Sequence, residues 1–216
     1  MAELTESTIQ QALDWAYEKA VDGVPGLGTA RELAEEYASQ PGTPIDQANS
    51  LIRWQIAKCA TSGFITGLGG IITLPIAVPA NIASVLYVQI RMIAAIAHLG
   101  GHDLRDDRVK TMVYMSLCGS ASFDILKDVG IKIGTKLSQR MIQSISKEVI
   151  FAINKAVGFR LLTKFGTTGV INLGKAVPFV GGIIGGTLDG VSTNTIGNIA
   201  RDLFIPEPTA IAQESD

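Results

Sequence analysis

The stretch that decides the fold is CATSGFITGLGGIITLPIAVPANIASVLYVQI, residues 59–90, which contains no Asp, Glu, Lys, Arg or His. As one α-helix these 32 residues would extend about 48 Å, more than the roughly 30 Å of a bilayer's hydrocarbon core. Glycines and two prolines, Pro75 and Pro79, interrupt the stretch, and a proline inside a helix costs about 3 kcal/mol. We therefore expect a broken apolar hairpin, made of a short piece over Phe64–Leu74 and a longer helix over Val78–Leu99.

A second uncharged run lies between Lys175 and Asp189 and is also rich in glycine. Its GGII at 181–184 echoes the GGII at 69–72 in the first run. Because small residues let two helices approach closely, we expect the two glycine-rich runs to pack against each other. Whether this apolar unit is partly inserted in lipid or buried inside the protein stays open at this point.

Helical periodicity and cap residues predict further helices on both sides of the hairpin. These predicted helices cover residues 7–22, 29–39, 43–59, 104–117, 122–137, 138–157 and 194–204. The sequence therefore predicts an all-α protein, a single-domain helical bundle over residues 1–204 with a central apolar hairpin that glycines and prolines interrupt. Residues 205–216, with two prolines and an acidic end, are predicted to form a mobile C-terminal tail.

The longest amphipathic pattern lies in residues 138–157, where six apolar side chains recur at helical spacing. The predicted inward-facing residues are Met141, Ile142, Ile145, Val149, Ala152 and Ala156. Basic side chains would then occupy the opposite face of this helix.

Charge is unevenly distributed along the 216 residues, although the formal net charge is only −2. Residues 1–50 carry nine acidic and two basic side chains, whereas residues 127–175 carry nine basic and two acidic ones. The basic segment suits an anionic lipid surface, where each Lys or Arg contributes about 1 kcal/mol. Pairing with the acidic segment, or simple solvation of helix faces, is an equally open interpretation. Mean hydropathy is high at +0.30, so the chain has much apolar surface to bury.

The start of the chain is polar and acidic and shows no pattern of a signal peptide, which predicts a cytoplasmic protein, peripheral to the inner membrane. Two cysteines, Cys59 and Cys118, lie in apolar surroundings and are predicted to be reduced core thiols. An aromatic content of 6% and a pI near 5.7 argue against nucleic-acid binding.

No catalytic signature is present: the chain lacks a P-loop and a nucleophile elbow. His98 and His102 have the spacing of zinc ligands on a helix, but two glycines separate them and no third ligand is apparent. We therefore expect no catalytic residue, no metal and no cofactor, and the sequence leans against an enzyme.

Four polar residues that border the apolar segments are the candidate binding residues: Gln89, Arg91, Asp124 and Asp189. A buried charge must be paired, or it costs several kcal/mol. In one interpretation Arg91 pairs with Asp124 or Asp189 as a structural bridge. In the other, the four side chains line a polar site at the base of the apolar helices.

The chain resembles the EcsC family over nearly its whole length, and several short stretches carry the resemblance together. They are Ser62–Gly70, Leu74-Pro75, Pro79-Ala80, Gln89–Arg91, Ile96-Ala97, Val157–Leu161 and Val177–Gly182 followed by Asp189. His98–Gly101 departs from the relatives, which have a tyrosine and one glycine there. The resemblance implies a bacterial origin, and the family is named after a gene that neighbours an ABC transporter, which implies work at the membrane.

Three functional hypotheses follow. The first is a non-catalytic protein that docks on a membrane or partly inserts its apolar half-helices, with a membrane surface or a membrane protein as partner and a transporter-related role. The second is a soluble protein-interaction module, with homo-oligomer formation left open. The third is a lipid or small-molecule binder with a polar site around Arg91.

Overall fold

A computed structural model of the chain describes residues 4–24, 26–60, 80–131, 139–172 and 181–205. Within these ranges the side chains are described as well, except those at 58–60, 80–81, 166–172 and 181–191. Within these ranges the chain forms nine helices and no strand, which confirms the all-α prediction. The helices are α1 (Glu6–Asp22), α2 (Ala30–Ala38), α3 (Pro44–Ala60), α4 (Ala80–Leu99), α5 (Asp107–Ser116), α6 (Ala121–Asp128), α7 (Gln139–Gln143), α8 (Lys147–Asn172) and α9 (Gly181–Phe204).

The first three helices start at capping threonines. Thr29 and Glu32 cap α2 reciprocally, because each side chain accepts a hydrogen bond from the other's backbone N–H at 3.0 and 2.7 Å. Thr43 precedes α3, the helix predicted from residue 43, and donates its backbone N–H to Asp46 Oδ2 at 2.9 Å. The cap of α1 is Thr5, which shares a capping box with Thr8, so this helix begins one residue before the predicted position 7.

Helix α4 lies at the centre of the bundle and packs against α1, α2, α3, α5 and α9. Its segment Ile82–Leu99 is the one helical stretch in the described part of the chain that is long and apolar enough to cross a membrane. The mean hydropathy of that segment is 1.7, yet 72% of it is buried inside the protein. A core helix of a folded bundle passes the same test of length and composition, and the burial of α4 fits that description.

The C-terminal half of α9 packs on α3 and α4 where a small residue allows close approach. A Cβ atom on Gly197 would lie 2.8 Å from Ile52 Cγ1 of α3. The predicted packing between the two glycine-rich runs involves residues 64–80 and 178–188, most of which lie outside the described residues. The predicted short piece of the hairpin, Phe64–Leu74, also lies outside the described residues.

The end of α4 is fixed by a Schellman motif. His102 donates its N–H to the Ala97 carbonyl at 3.1 Å, and Gly101 donates to the His98 carbonyl at 2.9 Å. Gly101 has φ +82°, the left-handed conformation that this motif requires. The preceding Gly100 lies against the backbone carbonyl of Phe204, so the ends of α4 and α9 are in direct contact.

Several predicted helix boundaries are wrong. Helix α8 continues past the predicted end at 157 to Asn172, and α9 begins at Gly181 and not at 194. The helix predicted over 122–137 ends at Asp128, because the chain turns at Gly130, whose φ is +78°. The single helix predicted over 138–157 is two helices, α7 and α8, separated at 144–146. Serines cause this break: Ser144 Oγ donates to the Met141 carbonyl at 2.8 Å, and Ser146 Oγ accepts from the Val149 N–H at 3.4 Å.

The break also changes which face of α8 is buried. Its core residues are Ile153, Val157 and Leu161, each at most 1% exposed. Met141 and Ala152, which are predicted to face inwards, are exposed. Ile205, the first residue of the tail predicted over 205–216, is fully buried, and residues 206–216 lie outside the described residues.

Candidate functional site

The structure places Gln89 and Arg91 on opposite sides of α4, because residues two apart on an α-helix differ by about 200°. Gln89 is 3% exposed and donates its Nε2 to Thr193 Oγ1 of α9 at 3.4 Å. Gln89 therefore connects two core helices. Arg91 instead faces the opposite side of α4, towards α2.

Arg91 is half-buried beside the carboxylates of Glu32 and Glu36, and burial lowers its pKa. Its Nε atom is buried and has no hydrogen-bond partner in the described structure. The hydroxyl of Tyr87, one turn earlier on α4, is likewise buried without a partner. The two side chains thus present unpaired polar atoms at the α2–α4 contact.

Asp124 lies elsewhere, exposed on α6, with its Oδ2 3.9 Å from Arg160 Nη2 of α8. Within the described residues Asp124 is therefore an ion-pair partner of Arg160 and not of Arg91. The backbone of Asp189 belongs to α9, while its side chain lies outside the described residues. The three described side chains of the predicted set occupy separate environments, and a binding role for the set stays a prediction.

A surface that the sequence interpretation missed follows α8, and we call it the α8 face: Lys147, Phe151, Lys155 and Phe159. Phe151 is 72% exposed and Phe159 is 61% exposed, and both lysines are exposed. Neither lysine has a carboxylate within 4 Å in the described part of the chain. The signal is visible in the sequence as K-x₃-F-x₃-K-x₃-F, a spacing that puts the four residues along one side of a helix.

Beside the α8 face, a polar cavity of about 320 Å³ lies between α1, α5 and α8. Four of its side chains carry charge, two of them negative and two positive. The lining residues are Gln10, Asp14, Asp107, Lys110, Thr111, Tyr114, Lys147, Ile150 and Asn154. A small polar molecule with groups of both signs matches this lining.

One wall of the cavity is a preorganised network. Asp14 Oδ1 accepts a hydrogen bond from the Tyr114 hydroxyl at 2.9 Å and lies 2.6 Å from Lys110 Nζ. The Lys110 ammonium also lies 5.6 and 5.7 Å from the ring centroids of Tyr17 and Tyr114, in the range of cation–π contact. Burial, reinforced by the Asp14 charge, raises the pKa of Tyr114 and keeps its hydroxyl protonated.

Three lining groups lack such partners. Asn154 Oδ1 is buried without a hydrogen-bond partner in the described structure. The exposed side chains of Asp107 and Lys147 form no ion pair with any described residue. These groups are therefore available to a ligand.

His102 and Cys118 have structural surroundings, whereas the side chain of Cys59 lies outside the described residues. His102 is 4% exposed, and its Nε2 lies 3.1 Å from the Phe204 carbonyl oxygen, while burial lowers its pKa. Cys118 is a free thiol whose pKa burial raises to about 11. In the described part of the chain no group of three His, Cys, Asp or Glu side chains is placed to hold a metal ion.

These features define an all-helical protein whose described surface carries a basic aromatic face beside a polar cavity. The sequence model of the EcsC protein family matches residues 3–205 of the 216, and the chain belongs to this family. The resemblance seen in the sequence is thereby confirmed. No curated protein and no solved structure matches the chain.

Proposed function

We propose that this protein associates peripherally with an anionic membrane surface by laying the α8 face on it. The single observation that carries the proposal is the exposure of Phe151 and Phe159, which alternate along α8 with two unpaired lysines. Aromatic rings bind at the boundary between headgroups and acyl chains, and lysines bind the anionic headgroups. The net positive charge of residues 127–175 supports the same orientation.

The expected affinity is modest. Burying each phenylalanine contributes about 1–2 kcal/mol, and each lysine about 1 kcal/mol near an anionic surface. The sum of about 5 kcal/mol corresponds to reversible binding, similar to that of a single myristoyl chain. This mode needs no spanning helix, so α4 can stay in the core. The cytoplasmic leaflet of the inner membrane is the surface we propose, since it is anionic.

Co-sedimentation with vesicles tests the proposal. We expect the protein to bind vesicles of phosphatidylglycerol and phosphatidylcholine at low salt and to release them as salt rises, because salt screens the lysines. The double variant Phe151→Ser/Phe159→Ser should bind about 30-fold or more weakly, since it loses the burial of both rings. Circular dichroism and thermal unfolding should show an intact fold, because both side chains are exposed in the native state.

A matched pair of charge reversals locates the contact. Lys155→Glu, on the α8 face, should weaken vesicle binding about tenfold or more. Lys19→Glu makes the same charge change at an exposed position of α1 and should change binding by less than about threefold. Wild-type protein that stays in the supernatant with anionic vesicles at low salt would overturn the proposal. Equal binding by the double phenylalanine variant would overturn the assignment to α8.

A further inference from the structure

We propose that the cavity between α1, α5 and α8 binds a phosphoethanolamine group, with the ammonium inside and the phosphate at the mouth. This inference rests on the proposed membrane association, which would bring lipid headgroups to the mouth of the cavity. It names the part of the lipid that the protein selects. The argument comes from the groups in the cavity that have no partner.

At the inner end of the cavity one hydrogen-bond acceptor has no donor. Asn154 Oδ1 is buried and unpaired, and such an acceptor destabilises a protein unless something donates to it. Asp14 is already held by Lys110 and Tyr114, so its charge is offset within the ion pair and it needs no further partner. A ligand group with N–H donors, such as a primary ammonium, therefore fits this end.

The outer end offers one free charge of each sign. Arg108 Nε donates to the Ile145 carbonyl at 3.1 Å, which fixes the start of α5 beside the start of α8. Asp107 and Lys147, the first residues of those two helices, consequently lie at the same end of the cavity. Asn154 is seven residues further along α8, about 10 Å away along the helix axis. The long flexible stem of Lys147 lets its ammonium bind a phosphate at the mouth.

The cavity lies next to the α8 face, and this position favours a lipid headgroup as the source of the ligand. Lys147 belongs both to the cavity lining and to the α8 face, and Phe151 follows it by one helical turn. A lipid whose acyl chains lie against Phe151 would place its phosphate near Lys147. Its headgroup could then enter the cavity, whose volume of about 320 Å³ is at the small end of the range for ligand sites.

The discriminating comparison is between ethanolamine and choline. Phosphocholine carries the same two charges, but its quaternary ammonium has no N–H to donate to Asn154. Titration of the full chain with soluble glycerophosphoethanolamine, followed by NMR, should give saturable shifts that include Asn154 and Lys147. Glycerophosphocholine should bind at least about tenfold more weakly. Equal binding of the two compounds, or no binding of either, would overturn the inference.

Substitutions in the cavity give matched controls. Asn154→Leu removes the buried acceptor and should lower affinity for glycerophosphoethanolamine at least about tenfold, whereas Asn154→Asp keeps an acceptor and should retain binding. Lys147→Gln changes an exposed side chain, which protects folding, and should weaken binding by removing the charge that binds the phosphate. Unchanged affinity in folded Asn154→Leu and Lys147→Gln proteins would refute the assignment.

Two further binding experiments distinguish this inference from the membrane proposal. At a fixed fraction of phosphatidylglycerol, exchanging phosphatidylcholine for phosphatidylethanolamine should strengthen vesicle binding by wild type and not by Asn154→Leu. The Phe151→Ser/Phe159→Ser variant should still bind the soluble ester. Vesicle binding without binding of the soluble ester would sink the cavity inference and leave the membrane proposal standing. Binding of the ester with no gain from phosphatidylethanolamine would support the site and identify a free phosphoethanolamine ester as its source.

Discussion

Helix α4 has a more continuous apolar sequence than α8, yet of these two helices it is α8 that presents aromatic side chains to solvent. The Ile82–Leu99 segment of α4 satisfies the length and hydropathy of a spanning helix, but its neighbours bury it. Helix α8 buries Ile153, Val157 and Leu161 and leaves Phe151 and Phe159 outside. The hydrophobicity of a helix therefore does not decide whether its apolar side chains are exposed. What decides is how much apolar surface remains after the bundle has packed.

The largest expected loss of stability comes from a substitution that forces α4 away from α9. A Cβ atom on Gly100 would collide with the backbone carbonyl of Phe204, which no side-chain rotation can relieve. We expect Gly100→Ala to lower the free energy of unfolding by more than about 3 kcal/mol. The measurement is urea denaturation followed by circular dichroism.

Gly158→Ala is the matched control for that variant. Gly158 lies within α8, and a Cβ atom there would have nothing within 4 Å. Alanine should stabilise the helix at that position by about 0.5–1 kcal/mol. A Gly100→Ala protein as stable as wild type would show that the close contact between the ends of α4 and α9 is not needed.

The two faces of α8 can be compared directly by truncating one apolar side chain on each. Ile153 is fully buried, so Ile153→Ala should cost about 2–5 kcal/mol of unfolding free energy. Phe151→Ala, two residues earlier and 72% exposed, should change it by no more than about 0.5 kcal/mol. Equal losses of stability in the two variants would mean that Phe151 is packed in solution.

The smallest expected effect concerns the link between α4 and α9 through His102. Burial lowers the pKa of His102 in the folded protein, whereas in the unfolded chain it titrates near 6.5. Below pH of about 6.5 the unfolded state binds a proton that the folded state does not, so stability falls as the pH falls. One proton limits this slope to about 1.4 kcal/mol per pH unit.

The variant His102→Gln keeps an N–H donor for the Phe204 carbonyl and removes the titration. Thermal unfolding at pH 7.5, 6.5 and 5.5 should show a shallower acid loss for the variant than for wild type. Parallel curves for the two proteins would contradict a burial effect at this histidine.

Much of the fold could be predicted because its signals are local. Two helices start at the predicted residues 29 and 43, because Thr29 with Glu32 and Thr43 with Asp46 cap α2 and α3. Helix α4 ends at the predicted Leu99, because Gly101 terminates it. Each of these signals works through backbone hydrogen bonds a few residues away. The break between α7 and α8 was missed because Ser144 and Ser146 compete with helical hydrogen bonds only weakly, and the sequence pattern alone does not show which bonds form.

The candidate site depended on contacts that no local pattern contains. Gln89 and Arg91 are close in sequence, but the helical turn separates them, and α2 and α9 supply their different surroundings. The cavity brings together Asp14, Lys110 and Asn154 from three helices that are far apart in the chain. Its unpaired groups become visible only when those helices are packed.

The sequence by itself determined the helical class, the starts of α2 and α3 and the EcsC family membership, because periodicity, capping and motif order are properties of neighbouring residues. Only the tertiary structure decided that α4 is a core helix, that Phe151 and Phe159 are exposed, and that α1, α5 and α8 line a polar cavity. The physical reason is that burial belongs to pairs of distant surfaces. A residue's own chemistry sets what it gains from leaving water, but its partners across the bundle decide whether it does.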